Sequence, residues 1–258
     1  MLDKKQVATA FGKKAKDYDT YARVQKYVGD HLLSLTIPLF SGHGPVVDLG
    51  TGSGFFLPKL KQAFPDNDLL AVDLSEGMVV HARQQHASLL MGSVVADAEN
   101  LPFADNSVDL IYSSMAIQWC EDLQVLLKNL RRVVKPGGLI AISTLLPKTL
   151  FELKDSWQAV DGNAHVNRFL SAETLLSELS GFGSIAAFHC ELVTAHYPDL
   201  KSLLHSIKGI GANTVIDGSR AMSKGQYKAL MSAYEQYRTE SGQLPASYEV
   251  CYFVLNVV

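Results

Sequence analysis

The nine residues Val46–Gly54, VVDLGTGSG, leave the chain few ways to fold. An apolar run ending in an acid and a leucine reads as a short buried strand. Gly50, Gly52 and Gly54 then break it, and Phe55–Phe64 reads as a helix closed by Pro65. A strand that enters a helix through a glycine turn opens a parallel sheet and lets a nucleotide come close to backbone N–H groups.

Strand and helix signals continue to alternate beyond the turn. Leu69–Val72, ending at Asp73, Ser93–Ala96, ending at Asp97, Val108–Ser113 and Leu139–Thr144 read as strands. Between them lie helical patterns over Glu76–Gln85, with Ser75 placed to N-cap it, and over Leu123–Val134, stopped by KPGG. This predicts an α/β fold with a doubly wound, mostly parallel sheet. Later come helices over Phe151–Val160 and Ala172–Ser180, a strand over Ile185–Thr194, helices over Leu200–Ile207 and Gln226–Arg238, and a closing strand over Tyr248–Val257. The last two strands should pair, with the helices between them free to form a lid. Residues 1–40 are expected to form a helical cover and 41–258 the main domain, with the lid insertion at about 195–245.

With 258 residues, 47% hydrophobic and 19% charged, the chain has the composition of a globular α/β domain. A net charge of -3 speaks against a general nucleic-acid binder. Cys120, Cys190 and Cys251 form no metal-ligand or disulfide pattern, so no metal site is expected. No membrane span or leader is apparent, and the expected setting is cytoplasmic. The oligomeric state is not legible.

The dinucleotide fingerprint GxGxxG requires its third glycine at position 55, which is Phe here. Acids also end the first three strands: Asp48, Asp73 and Asp97. At the switch point of a doubly wound sheet these strand ends converge. Three carboxylates there disfavour a pyrophosphate and suit a cationic, phosphate-free nucleoside such as S-adenosylmethionine.

The segments VVDLGTGSG, AVDLSEGM, VADAENLPF, VDLIYSSMAIQW and LRRVVKPGGLIAIS, in this order, resemble the successive motifs of class I S-adenosylmethionine-dependent methyltransferases over about residues 44–145. The resemblance implies a Rossmann-like seven-stranded sheet with an antiparallel last strand. A narrower one covers residues 10–253: AFGKKAKDYDTYARVQ, SSMAIQWCEDL, STLLPKTLFELKDSWQAVD, HVNRFL, IKGIGAN and YEVCYF resemble malonyl-acyl-carrier-protein O-methyltransferases of biotin synthesis. That implies methyl transfer to the free carboxylate of a malonyl thioester, carried on acyl carrier protein or coenzyme A, as a step that primes pimeloyl synthesis.

Candidate cofactor residues are Asp48, Gly50, Thr51, Gly52, Gly54, Asp73, Asp97 and Ser114. The resemblance adds Leu74 and Met78 beside the adenine and Ala98 at its edge. It also places Tyr21 or Gln25 near the methionine end and Tyr18 toward the substrate, on one face of an N-terminal helix. Gln118 and Trp119 lie just beyond the fourth strand, at the expected active-site mouth. His165, Asn167 and the cation Lys208 are further candidates for the acceptor. Two basic clusters, Lys13, Lys14 and Lys16, and Lys128, Arg131, Arg132 and Lys135, are candidates for docking an acidic carrier. Thr51 and Ser53 stand where many relatives have Cys and Pro. Methyl transfer to another small acid or quinone precursor, S-adenosylmethionine binding without catalysis, and a nicotinamide oxidoreductase remain alternatives.

Overall fold

A computed structural model describes residues 3–163, 165–209 and 222–258. Seven strands form one sheet in the order β3-β2-β1-β4-β5-β7-β6. They are β1 (Val46–Leu49), β2 (Leu69–Asp73), β3 (Gly92–Val95), β4 (Val108–Ser114), β5 (Val134–Leu145), β6 (Ser184–Tyr197) and β7 (Leu244–Asn256). The first five are parallel, and β7 runs antiparallel between β5 and β6.

Helices cover both faces because the strands are apolar on both sides. Successive residues of a strand face opposite ways, so Val46 and Val47 enter different cores. Val46, Ala71, Leu110 and Tyr112 pack on Val28 and Leu32 of α3 (Arg23–Thr36) and on Leu57 and Leu60 of α4 (Leu57–Ala63). Val47, Val72, Ile111 and Ile140 pack on Leu126, Leu127 and Leu130 of α6 (Leu123–Val133) and on Leu175 and Leu179 of α8 (Ala172–Leu179). The remaining helices are α1 (Lys4–Gly12), α2 (Tyr18–Tyr21), α5 (Glu76–His86), α7 (Phe151–Val160), α9 (Leu200–Gly209) and α10 (Lys224–Tyr234). The last two lie between β6 and β7. Among the described residues, no helix is long and apolar enough to cross a membrane.

Several local expectations are corrected. The N-terminal pattern is not one helix: Ala22, buried at φ −80 and ψ 33, separates α2 from α3 and sends Tyr18 and Tyr21 to different neighbours. KPGG does not terminate α6. Val134 is already extended and pairs with Val108, and the next matched pair is Leu110 with Leu139. The KPGG segment is thus taken up as an irregularity within β5. Ser75 makes no capping hydrogen bond; its Oγ lies against Gly12 and its N–H donates to Asp73 Oδ1 at 2.8 Å. Cys190 and Cys251, far apart in sequence, are direct partners across β6 and β7, and both are free.

α1 docks on the first turn of α5 through two glycines. A Cβ on Gly77 would come 2.8 Å from the Gly12 Cα, so only glycine permits this approach. That contact lays α1 across the carboxyl ends of β1–β4, where the order of strands reverses.

Candidate active site

The three turn glycines all have positive φ, at 76°, 55° and 85°, but serve different ends. A Cβ on Gly50 would lie 2.3 Å from the Ala116 Cβ, whereas one on Gly52 would meet nothing nearer than 4.0 Å. The space beside Gly52 is therefore a cradle open to a ligand. Gly54 packs against Leu57, Ala82 and His86, the role the missing third fingerprint glycine would have had. Thr51 and Ser53 are both used. Thr51 Oγ1 donates to Asp48 Oδ2 at 2.7 Å, and Ser53 Oγ donates to Asp19 Oδ1 of α2 at 2.6 Å, tying α2 to the turn.

Around the turn lies a cleft of about 110 Å³, lined by Gly50, Gly52, Asp73, Leu74, Met78 and Ser114. Asp97 and Ala98 line it too, as do Tyr18 and Trp119. Asp73 accepts from Gly52 N at 2.9 Å through Oδ2 and from Ser75 N through Oδ1, so its carboxylate is fixed with lone pairs to spare. Asp48, Thr51 and Gly54 do not line the cleft; they hold the turn that does. Burial pushes the Asp48 carboxyl up to about 7, against the Thr51 hydrogen bond and with help from the charge of Asp73. Lys4 of α1 pairs with Asp97 at 2.6 Å and with Glu99. The cleft is thus less negative than three free strand-end carboxylates would make it, and Asp73 is its main unpaired charge.

A second cavity, of about 290 Å³, adjoins the first. The two share Phe11, Tyr18, Met115 and Trp119. Phe11 meets the Trp119 ring edge-on at 5.5 Å. Met115 sits at φ 51, a left-handed conformation costly for a residue with a side chain. It is held there because its N–H donates to the Ser143 carbonyl at 3.0 Å and its carbonyl accepts from Gln118 Nε2 at 2.7 Å. Neither Phe11 nor Met115 was singled out by sequence, since a shared wall and a positive φ leave no local signal.

The second cavity is walled by apolar side chains, among them Leu145, Leu153 and Trp157, and by polar ones that include Tyr18, Gln25, Gln118, His165, Asn167 and Lys208. Gln25 lies here and not in the first cleft, because the break at Ala22 resets the helix phase. Tyr21 lines neither cavity. Its ring packs on Gly209 and its hydroxyl lies 2.9 Å from His205 Nε2, so it clasps α9. The segment Ile210–Asn213 of IKGIGAN lies outside the described residues. His165 stacks on Trp157 at 3.8 Å and bonds Asp161. Burial and the nearby charges of Asp73 and Asp19 push the Tyr18 hydroxyl upward, so it remains a protonated donor at neutral pH. Of the basic residues considered for docking, Arg132 is spent on Leu101, Phe103 and Asp105, and Lys135 on Asp109.

The sheet order, the glycine turn and the paired cavities at the strand ends define the class I methyltransferase fold. The family described as "Methyltransferase domain" matches residues 47–142. A malonyl-[acyl-carrier protein] O-methyltransferase of Hahella chejuensis is 38% identical over 255 residues, covering 96% of this chain and 89% of that one. The biotin biosynthesis bifunctional protein BioHC of Cellvibrio japonicus is 42% identical over 257 residues, 98% of this chain, and the chain spans 50% of its length. A solved phosphoethanolamine N-methyltransferase 2 of Haemonchus contortus, in complex with S-adenosyl-L-methionine, superposes with a TM-score of 0.53 at 18% identity, over 88% of this chain and 52% of that one. The chain belongs to the malonyl-[acyl-carrier protein] O-methyltransferase family.

Proposed function

We propose that the chain transfers a methyl group from S-adenosylmethionine to the free carboxylate of a malonyl thioester, the reaction that the names of its relatives describe, within biotin synthesis. The observation that carries this reading is the wall of Phe11, Tyr18, Met115 and Trp119 common to the cleft at the glycine turn and the larger, mostly apolar chamber beside it. The open cradle at Gly52 and the fixed carboxylate of Asp73 fit the cofactor: Asp73 would accept from its ribose hydroxyls, with Leu74 and Met78 beside the adenine, Asp97 and Ala98 at its edge, and Ser114 toward the amino-acid end. When bound, the cofactor supplies an electrophilic methyl on a sulfonium.

The acceptor carboxylate is ionised at neutral pH and needs no general base. What the protein must do is orient it and exclude water. Tyr18, kept protonated, and Lys208 supply the donor and the cation; Gln118 and Trp119 shape the mouth. Residues 1–40 and the helices between β6 and β7 act as cover and lid. Labelled methyl from S-adenosylmethionine should appear on malonyl-carrier protein or malonyl-coenzyme A; transfer to neither would overturn the proposal.

A further inference from the structure

A third cavity, of about 230 Å³, opens beside the acceptor chamber. It shares Gln118, Leu145 and Phe169 with that chamber and adds Cys120, Glu121, Leu123, Arg168, Leu170 and Leu175. The three cavities therefore adjoin one another. The cofactor cleft meets the acceptor chamber through the Tyr18–Trp119 wall, the acceptor chamber meets the third cavity through Gln118 and Phe169, and the third cavity borders the cofactor cleft at Ile117 and Cys120. Arg168 and Leu170 are exposed, so the third cavity reaches the surface. Among the described residues Arg168 makes no ion pair, and Glu121 is the only acid in that lining.

Two buried oxygens of residues that line the acceptor chamber have no hydrogen-bond partner among the described residues: Gln118 Oε1, at the border with the third cavity, and Asn167 Oδ1. Gln118 Nε2 already donates to the Met115 carbonyl, which fixes its oxygen as the free atom. Both groups thus call for N–H or O–H donors. An ionised malonyl group has none, as its carboxylate and thioester carbonyl only accept. The pantetheine arm that carries such a thioester has two amide N–H groups along a thin, partly apolar chain, and a phosphate at its far end.

We propose that the third cavity admits the phosphopantetheine arm, with Arg168 meeting its phosphate at the mouth and Gln118 and Asn167 accepting from its amides. This rests on the malonyl-thioester reading above. The arm is common to coenzyme A and carrier protein, and acceptor kinetics separate the two. Arg168→Ala should raise KM about fivefold for malonyl-coenzyme A and malonyl-carrier protein, the size expected of an exposed ion pair, with kcat held. It should thereby erase the preference of the unmodified enzyme for malonyl-coenzyme A over phosphate-free malonyl-pantetheine. A rise confined to one phosphate-bearing acceptor supports the cavity and names its source. Leu170→Trp, at an exposed position that accommodates a larger ring, should raise KM for malonyl-pantetheine more than for malonyl-N-acetylcysteamine, which has a shorter arm. If Arg168→Ala affects phosphate-bearing and phosphate-free acceptors equally, or affects neither, or if Leu170→Trp treats both arm lengths alike, the assignment is wrong. If the unmodified enzyme methylates none of these acceptors, it is the malonyl reading that fails.

Discussion

Asp48 and Asp73 close neighbouring strands, yet only Asp73 faces the cleft, while Asp48 is sealed beneath the turn with Thr51 as its partner. That burial has a sign. Asp48 holds its proton up to about pH 7, whereas in the unfolded chain it gives the proton up near 4. Between those values the folded state binds more protons, so this group lowers stability as pH rises, by at most about 4 kcal/mol, and the cost is fully present above pH 7. Asp48→Asn keeps an acceptor for Thr51 and should flatten the stability profile between about pH 4 and pH 7, as well as raising stability at pH 8. Chemical denaturation at four pH values checks this, and parallel curves for the two proteins would refute it. The acid itself was legible in VVDLG, but its role was not. Sequence shows three acids at three strand ends and cannot show that one is buried and another neutralised by Lys4, 93 residues away.

The element that most needs its glycines is α1. Gly77 lies in the first turn of α5, where alanine would favour the helix by roughly 1 kcal/mol on propensity alone. The added Cβ, however, would strike the Gly12 backbone, which cannot swing aside as a side chain can. Gly77→Ala should therefore lower the melting temperature and speed hydrogen exchange in residues 4–12; a rise in melting temperature would show that propensity wins. The alternation of helices and strands was readable along the whole chain because each element carries its own period. The break at Ala22, the irregularity that absorbs KPGG and the pairing of Cys190 with Cys251 were not, because each is decided by neighbours distant in sequence. Gln25 shows the cost of such a miss: one irregular residue moved it from the cofactor side to the acceptor chamber.

At the scale of the molecule, α2 and α9 touch directly. Tyr21 of α2 packs on Gly209 of α9, and its ring meets that of His205 edge-on at 5.2 Å. Tyr21→Ala should raise amide exchange in α2 and α9 together by about tenfold, the effect of losing a contact worth about 1.4 kcal/mol. Acceleration in one helix alone would mean that they open independently. Family and cofactor class were legible from the strand-end motifs, but the group of three adjoining cavities was not, since its walls combine α1, the β4 end and the segment after α7. The position of β7 has a consequence for synthesis. It fills the gap between β5 and β6, though β5 is made some hundred residues earlier. Until β7 leaves the ribosome, β5 presents an open apolar edge and β6 has nothing to pair with. The half of the sheet beneath the cofactor cleft can assemble during translation, while the half beneath the acceptor chamber must wait for the last strand.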